Sequence, residues 1–145
     1  LTILIIASEE GDISIIPTLI ALGSNIYIND LKFKETALIK AAKCGHKNIV
    51  KILINSGANV NIKNIFGETA LILALRKNYE EIINILVDSG ADINVRDSQG
   101  RTPIFFVIKA NNIVLVKLLI NRGAEVNIRD DNGNTPLLMA CESML

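Results

Sequence analysis

One nine-residue phrase recurs along this 145-residue chain about every 33 residues, and that spacing constrains the fold more than any other feature. SGANVNIKN stands at 56–64, SGADINVRD at 89–97 and RGAEVNIRD at 122–130, with a more divergent LGSNIYIND at 22–30. The flanking sequence keeps the same period. ETALIKAAKCGHKNIVKILINSGANVN (35–61), ETALILALRKNYEEIINILVDSGADIN (68–94) and RTPIFFVIKANNIVLVKLLINRGAEVN (101–127) align without a gap. LTILIIASEEGDISIIPTLIALGSNIY (1–27) is an earlier copy, set off by one extra residue near Leu31 and Lys32, and NTPLLMACESML (134–145) begins another. A period in this range predicts stacked supersecondary units, each covering the apolar face of its neighbour.

Local chemistry fills in the unit. Thr36, Thr69, Thr102 and Thr135 each precede a short apolar-periodic run, as helix N-caps do, and Pro103 and Pro136 occupy the favoured first helical position. The run stops at Gly11, Gly45, Asn78 or Asn111, the two residue types that accept the left-handed conformation ending a helix. A second helix follows, with apolar residues at helical spacing: Ile49, Val50, Leu53 and Ile54 in one copy, Ile82, Ile83, Leu86 and Val87 in the next. Gly23, Gly57, Gly90 and Gly123 close it. DSQG (97–100) and DNGN (131–134) then carry turn chemistry. Each unit is read as helix, turn, helix and projecting hairpin. Two local departures are expected. Pro17 falls inside the first copy's second helix and should remove one backbone hydrogen bond. Lys34 stands where the hairpin glycine belongs, so the first hairpin should have a non-standard turn.

Thr102-Pro103-Ile104, Ala41-Ala42, Gly45-His46, Ile49-Val50 and Gly57-Ala58 with Asn61 resemble the pattern of the ankyrin repeat, T-P-L-H-x-A-A, G-H, I-V-x-L-L, G-A-x-x-N. The resemblance covers essentially the whole chain. It implies an all-α solenoid of stacked helix-turn-helix units with projecting β-hairpin loops. The expected layout is one domain over residues 1–145, with a divergent unit at about 1–30, units at about 31–63, 64–96 and 97–129, and a partial one at 130–145. The pattern's His after T-P-L is absent throughout, replaced by Ile5, Ile39, Ile72, Phe105 and Leu138, so apolar packing is expected in its place. Both ends are apolar, where terminal units of such stacks are normally polar outside. That points either to a segment of a longer array or protein, or to further residues beyond both ends.

Composition narrows the function classes. Fifteen basic residues balance fifteen acidic ones and aromatics are only 4%, which argues against nucleic acid as a partner. No apolar run approaches bilayer length, so no membrane insertion is expected. Cys44 and Cys141 are too few for a disulfide framework and match no metal-ligand spacing, and an intracellular, cytoplasmic setting is the mild default. No cofactor or metal is expected, since phosphate-loop, dinucleotide and zinc-protease motifs are absent. His46, at the Gly-His position opening a helix, is read as structural, Cys141 as core and Cys44 as exposed. Glu9-Glu10 and Glu80-Glu81 are read as solvated helix ends, the latter favoured by the helix dipole. The chain is therefore expected not to be an enzyme.

The resemblance further implies a concave face, built from hairpin tips and the exposed ends of the first helices, that binds another protein. At the helix-end position the copies read Glu9, Lys43, Arg76, Lys109 and Glu142, with Lys77 beside Arg76. At the eighth place of the phrase they read Asn29, Lys63, Arg96 and Arg129. The three central copies are basic in both columns. One reading is a cationic band selecting an acidic partner segment. The plainer one is helix-dipole interaction for Lys43, Arg76 and Lys109, and pairing of Lys63, Arg96 and Arg129 with Asp97 and Asp130. Candidate apolar anchors are Phe33, Ile65 and Phe66, bracketed by Glu35, Glu68, Gln99 and Arg101, unless the two phenylalanines pack on neighbouring hairpins. Two other functions stay open: a docking or regulatory part of a larger enzyme, and a structural spacer that self-associates through its apolar ends.

Overall fold

A computed structural model describes residues 2–142. Leu1 of the apolar opening and residues 143–145 of the half copy lie outside the described residues. Within them are nine helices: α1 (Ile3–Glu10), α2 (Ile16–Ala21), α3 (Ala37–Cys44), α4 (Lys47–Asn55), α5 (Ala70–Lys77), α6 (Glu80–Asp88), α7 (Pro103–Lys109), α8 (Ile113–Asn121) and α9 (Pro136–Glu142). The first helices α1, α3, α5, α7 and α9 pack one on the next, and each of the first four also packs on the second helix of its own unit. Their core faces are buried together, with Leu4, Leu38, Leu71 and Ile104 at equivalent positions. The residues at the missing histidine position behave the same way: Ile5, Ile39, Ile72 and Phe105 are all buried. The projecting loops, or fingers, are tight turns, and the single β-bridge among the described residues joins Asn29 to Thr36.

The caps fall largely where the residue types place them. The hydroxyls of Thr2, Thr36, Thr69 and Thr135 accept from the amides of Ile5, Ile39, Ile72 and Leu138. Thr102 holds the same extended conformation, but its buried hydroxyl finds no hydrogen-bond partner among the described residues, and the Phe105 amide donates to the Thr102 carbonyl at 3.0 Å. Gly11, Gly45, Asn78 and Asn111 all adopt positive φ. At Gly11, Gly45 and Asn78 the side chain that the next unit places over the turn sets how much room there is. The His46 ring lies over Gly11 and the Tyr79 ring over Gly45, so closely that a Cβ would meet them at 2.5 and 3.0 Å. Where the next unit offers the small Asn112 instead, Asn78 fits and accepts its Nδ2 hydrogen bond at 3.0 Å.

The structure corrects three expectations. Pro17 costs no helical hydrogen bond, because α2 begins at Ile16 and places the proline in its first turn, where no intrahelical acceptor exists. The helix is shortened instead, to six residues against nine in α4, α6 and α8. Cys141 is exposed rather than core, because α9 lacks a covering second helix among the described residues. Leu137 is 72% exposed for the same reason, although its equivalents in α1, α3, α5 and α7 are at most 2% exposed. The third correction concerns the basic residues of the phrase, described below with the face they occupy. The first finger is non-standard as expected: Lys34 takes a φ of 55°, and the turn closes from Asp30 to Glu35, one residue longer than the Asn64–Glu68 turn.

The phrase itself is a fastening. Its sixth residue reaches into the following unit: Asn61 Nδ2 donates to the Gly90 carbonyl at 3.2 Å and its Oδ1 accepts from the Asp92 amide at 2.8 Å. Asn94 repeats this on Gly123 and Glu125 at 3.0 and 2.9 Å. The ninth residue closes the turn, as when Asp97 Oδ1 accepts from the amides of Gln99 and Arg101 at 2.9 Å each. Tyr27 stands where Asn61 and Asn94 do and is exposed, so the first junction lacks this clamp. Converting both Asn61 and Asn94 to Ala should lower the unfolding free energy by about 1–1.5 kcal/mol per junction. Urea denaturation measures the loss, and a total below about 0.5 kcal/mol would show the clamps to be energetically idle.

Candidate functional site

Finger bases meet first-helix ends where Glu35 contacts Lys43 and Glu68 contacts Arg76, and the fingers are tied to one another as a ladder. The Ile65 amide donates to the Phe33 carbonyl, Ser98 to Phe66 and Asp131 to Gln99, at 2.9–3.0 Å. Phe33 and Phe66 also pack on each other, their ring centroids 6.2 Å apart, while Ile65 and Phe66 keep about half their surface in solvent. The finger aromatics are thus partly framework and partly available.

The basic residues of the phrase do not pair with Asp97 or Asp130, as one reading expected. They bind backbone. Lys63 Nζ donates to the Arg96 carbonyl at 3.1 Å, and Arg96 Nη1 to the carbonyls of Arg129 (3.2 Å) and Gly100 (3.3 Å). Arg129 Nη1 reaches the Gly133 carbonyl at 2.8 Å. A long cationic side chain at this place spans to the next finger, and the amides and Arg101 have already taken Asp97. All three stay solvent-exposed. Asp130 is held by the Asn132 and Asn134 amides. Burial alone would raise its pKa; the Asn134 and Asn132 hydrogen bonds and the Arg101 charge outweigh that and lower it.

The helix-end cations have a different fate in each unit. Lys43 Nζ lies 3.1 Å from Glu35, and Arg76 Nη2 lies 2.7 Å from Glu68, in each case the acid eight residues earlier. In the following unit that acid is replaced by Arg101, whose guanidinium bonds Asp97 Oδ2 through Nε (3.0 Å) and Nη2 (2.7 Å). Lys109 is therefore left without an ion pair or hydrogen bond among the described residues, and so is the exposed Lys77. Arg76 and Arg101 both stack on Phe106, at 5.0 and 5.1 Å from the ring centroid. The six-cation band of the sequence thus resolves into pairs, carbonyl contacts and one local excess around Lys109.

One ion cluster was not legible as a site. Lys40 is buried within α3, its Nζ 3.0 Å from Glu35, 3.1 Å from Glu9 and 3.7 Å from Asp30. The other copies carry Ile6, Leu73, Phe106 and Met139 at this position, so a column-wise reading would have flagged a lysine among apolar residues. Glu9 is consequently part of a unit-to-unit contact and not only a solvated helix end. His46 is structural too, its Nε2 donating to the Glu9 carbonyl at 2.9 Å. Cys44 is exposed; desolvation and the Glu9 charge raise its thiol pKa, which disfavours a nucleophilic thiolate.

Among the described residues no helix is long and apolar enough to cross a membrane, and no group of three or more His, Cys, Asp or Glu is arranged to hold a metal ion. Compared with protein families, residues 4–97 match a family model described as ankyrin repeats (3 copies), and residues 86–140 one described as ankyrin repeats (many copies). No curated protein matches the chain. Ankyrin repeats are generally protein–protein interaction modules. With more than half of its length matched, and with stacked helix pairs, left-handed turns and unit-to-unit clamps at the same period, the chain belongs to the ankyrin repeat family.

Proposed function

We propose that this chain is a non-catalytic protein-binding module that holds an acidic segment of its partner on the face shared by the fingers and first-helix ends. The observation that carries this reading is the exchange of acid for base at Arg101. Where two units neutralise their helix-end cation with a glutamate, the third leaves Lys109 unneutralised, in a chain whose total charge is zero. A positive excess confined to one stretch of a neutral molecule steers and orients an acidic partner without attracting anions everywhere. Exposed Ile65 and Phe66 on the adjoining finger supply apolar contact beside it.

The test uses fluorescence anisotropy with a labelled poly-glutamate peptide about twelve residues long and a poly-lysine peptide of the same length. The poly-glutamate peptide should bind, and its affinity should fall as salt rises. Reversing both unpartnered lysines, Lys77→Glu and Lys109→Glu, should weaken it by about tenfold or more, because neither change breaks a bond within the fold. Equal binding of the two peptides, or an affinity indifferent to salt and to the double reversal, would remove the basis for an acidic partner.

A further inference from the structure

The excess charge around Lys109 has a shape. Between α5, α7 and α9 lies a cavity of about 340 Å³ whose walls include Arg76, Arg101, Lys109, Phe106 and Met139. A second cavity of about 290 Å³ shares Arg76 and Arg101 with it and runs out to Phe66 and Gln99 on the fingers. The two arginines, stacked on Phe106, therefore stand between a pocket at the helix ends and a groove along the finger tips. Volumes near 300 Å³ are large enough for a side chain or small ligand group.

Two of the cations lining the first cavity keep donors that the fold does not use. Arg101 spends Nε and Nη2 on Asp97, leaving Nη1 without a partner among the described residues, and Lys109 has all three of its donors free there. The local charge decides which anion. Three cations line the cavity, and two of them are matched by Glu68 and Asp97. The remainder is one positive charge, which balances a carboxylate and is overshot by a phosphate carrying about −1.5 to −2. The walls are mixed rather than wholly polar, with Phe106 and Met139 set beside the cations.

Resting on the acidic-partner reading above, we infer that this cavity is the anchoring pocket for a single glutamate side chain of the partner segment. Its carboxylate lies between Lys109 Nζ and Arg101 Nη1, and its methylenes lie against Phe106 and Met139. The peptide backbone on one side of that glutamate continues through the neighbouring groove toward Phe66.

Met139 provides the readout, since its methyl group reports on the cavity wall, and Met144 is the only other methionine. The whole chain, labelled at the methionine methyls, is titrated with three capped peptides of identical Gly/Ser background carrying one central Glu, Gln or phosphoserine. The Glu peptide should shift the Met139 signal saturably at roughly millimolar concentration, and the Gln peptide should bind about tenfold more weakly. Lys109→Glu should remove the shift while circular dichroism and thermal midpoint stay as in the parent. Three results each overturn the pocket: an equal response to the Gln peptide, a shift that survives Lys109→Glu, or stronger binding of the phosphoserine peptide. If poly-glutamate binds in a salt-dependent way but the Glu peptide leaves Met139 unmoved, the pocket fails and the acidic face stands. If poly-glutamate does not bind, the face fails as well.

Discussion

Replacing Lys40 with methionine should lower the unfolding free energy of the N-terminal half of the stack by about 3 kcal/mol, a large effect for a single side chain with a charged end. The side chain is 8% exposed, Glu35 only 2% and Asp30 6%, so these two carboxylates cannot recover their solvation when the ammonium goes, whereas the half-exposed Glu9 can. Lys43 keeps Glu35 partly matched at 3.1 Å, which places the loss at the low end of the range for breaking a buried pair. Methionine preserves most of the packing, so the charge is what is tested. Because the helices of each unit pack mainly on those of the adjacent units, hydrogen exchange should accelerate in α1 to α4 and little in α7 and α8. A uniform change along the chain would contradict that locality.

The same cluster sets a pH signature. Burial by itself lowers the Lys40 pKa, but the hydrogen bonds and charges of Glu35 and Glu9 outweigh it and raise the pKa above its ordinary 10.5. That contribution to stability is complete below pH 10.5 and is lost as pH rises through the folded-state value. Burial raises and the Phe33 amide, the Lys40 charge and the Glu35 amide lower the pKa of Asp30, with a net shift below its ordinary 3.8. Its contribution is complete above pH 3.8 and is lost as pH falls through the lower folded value. The advantage of the parent over the Lys40→Met variant should therefore shrink as pH rises above 10.5 and as it falls below 3.8, as denaturation curves across pH would show.

Truncating Phe105 to alanine should cost about 3–5 kcal/mol, the range for deleting a buried aromatic ring. Phe105 is 1% exposed and sits in α7, which packs against α5, α8 and α9, so the ring is confined by packed helices that cannot all close over the void. Phe105→Ile is the informative partner, since α1, α3 and α5 carry isoleucine at that position. It should recover a good part of the loss in urea denaturation, leaving a smaller deficit for the missing volume. Equal losses for the two variants would mean that this unit requires the ring itself rather than apolar volume.

Much of the architecture was legible because it repeats. The left-handed conformation at Gly45 or Asn78 and the capping hydroxyl of Thr36 or Thr69 follow from residue types acting over three or four positions. Such local preferences reinforce one another when each recurs at the same spacing. Contacts across units were less legible. That Asn61 fastens the next unit, and that His46 and Tyr79 crowd the space beside Gly11 and Gly45, depends on partners about 30 residues away, for which the period gives the neighbour but not the atoms.

The basic face shows the same division most clearly. Sequence determined the fold class, the repeat period and the two columns of cations, because these need only side-chain chemistry and helical geometry. Tertiary structure alone decided that Lys63, Arg96 and Arg129 hold backbone carbonyls, that Lys43 and Arg76 are answered by Glu35 and Glu68, and that Lys109 is left over beside a cavity. The physical reason is range. A helix or turn is set by neighbours in the chain, whereas the partner of a long charged side chain is whichever acceptor packing brings within about 3 Å of its donors.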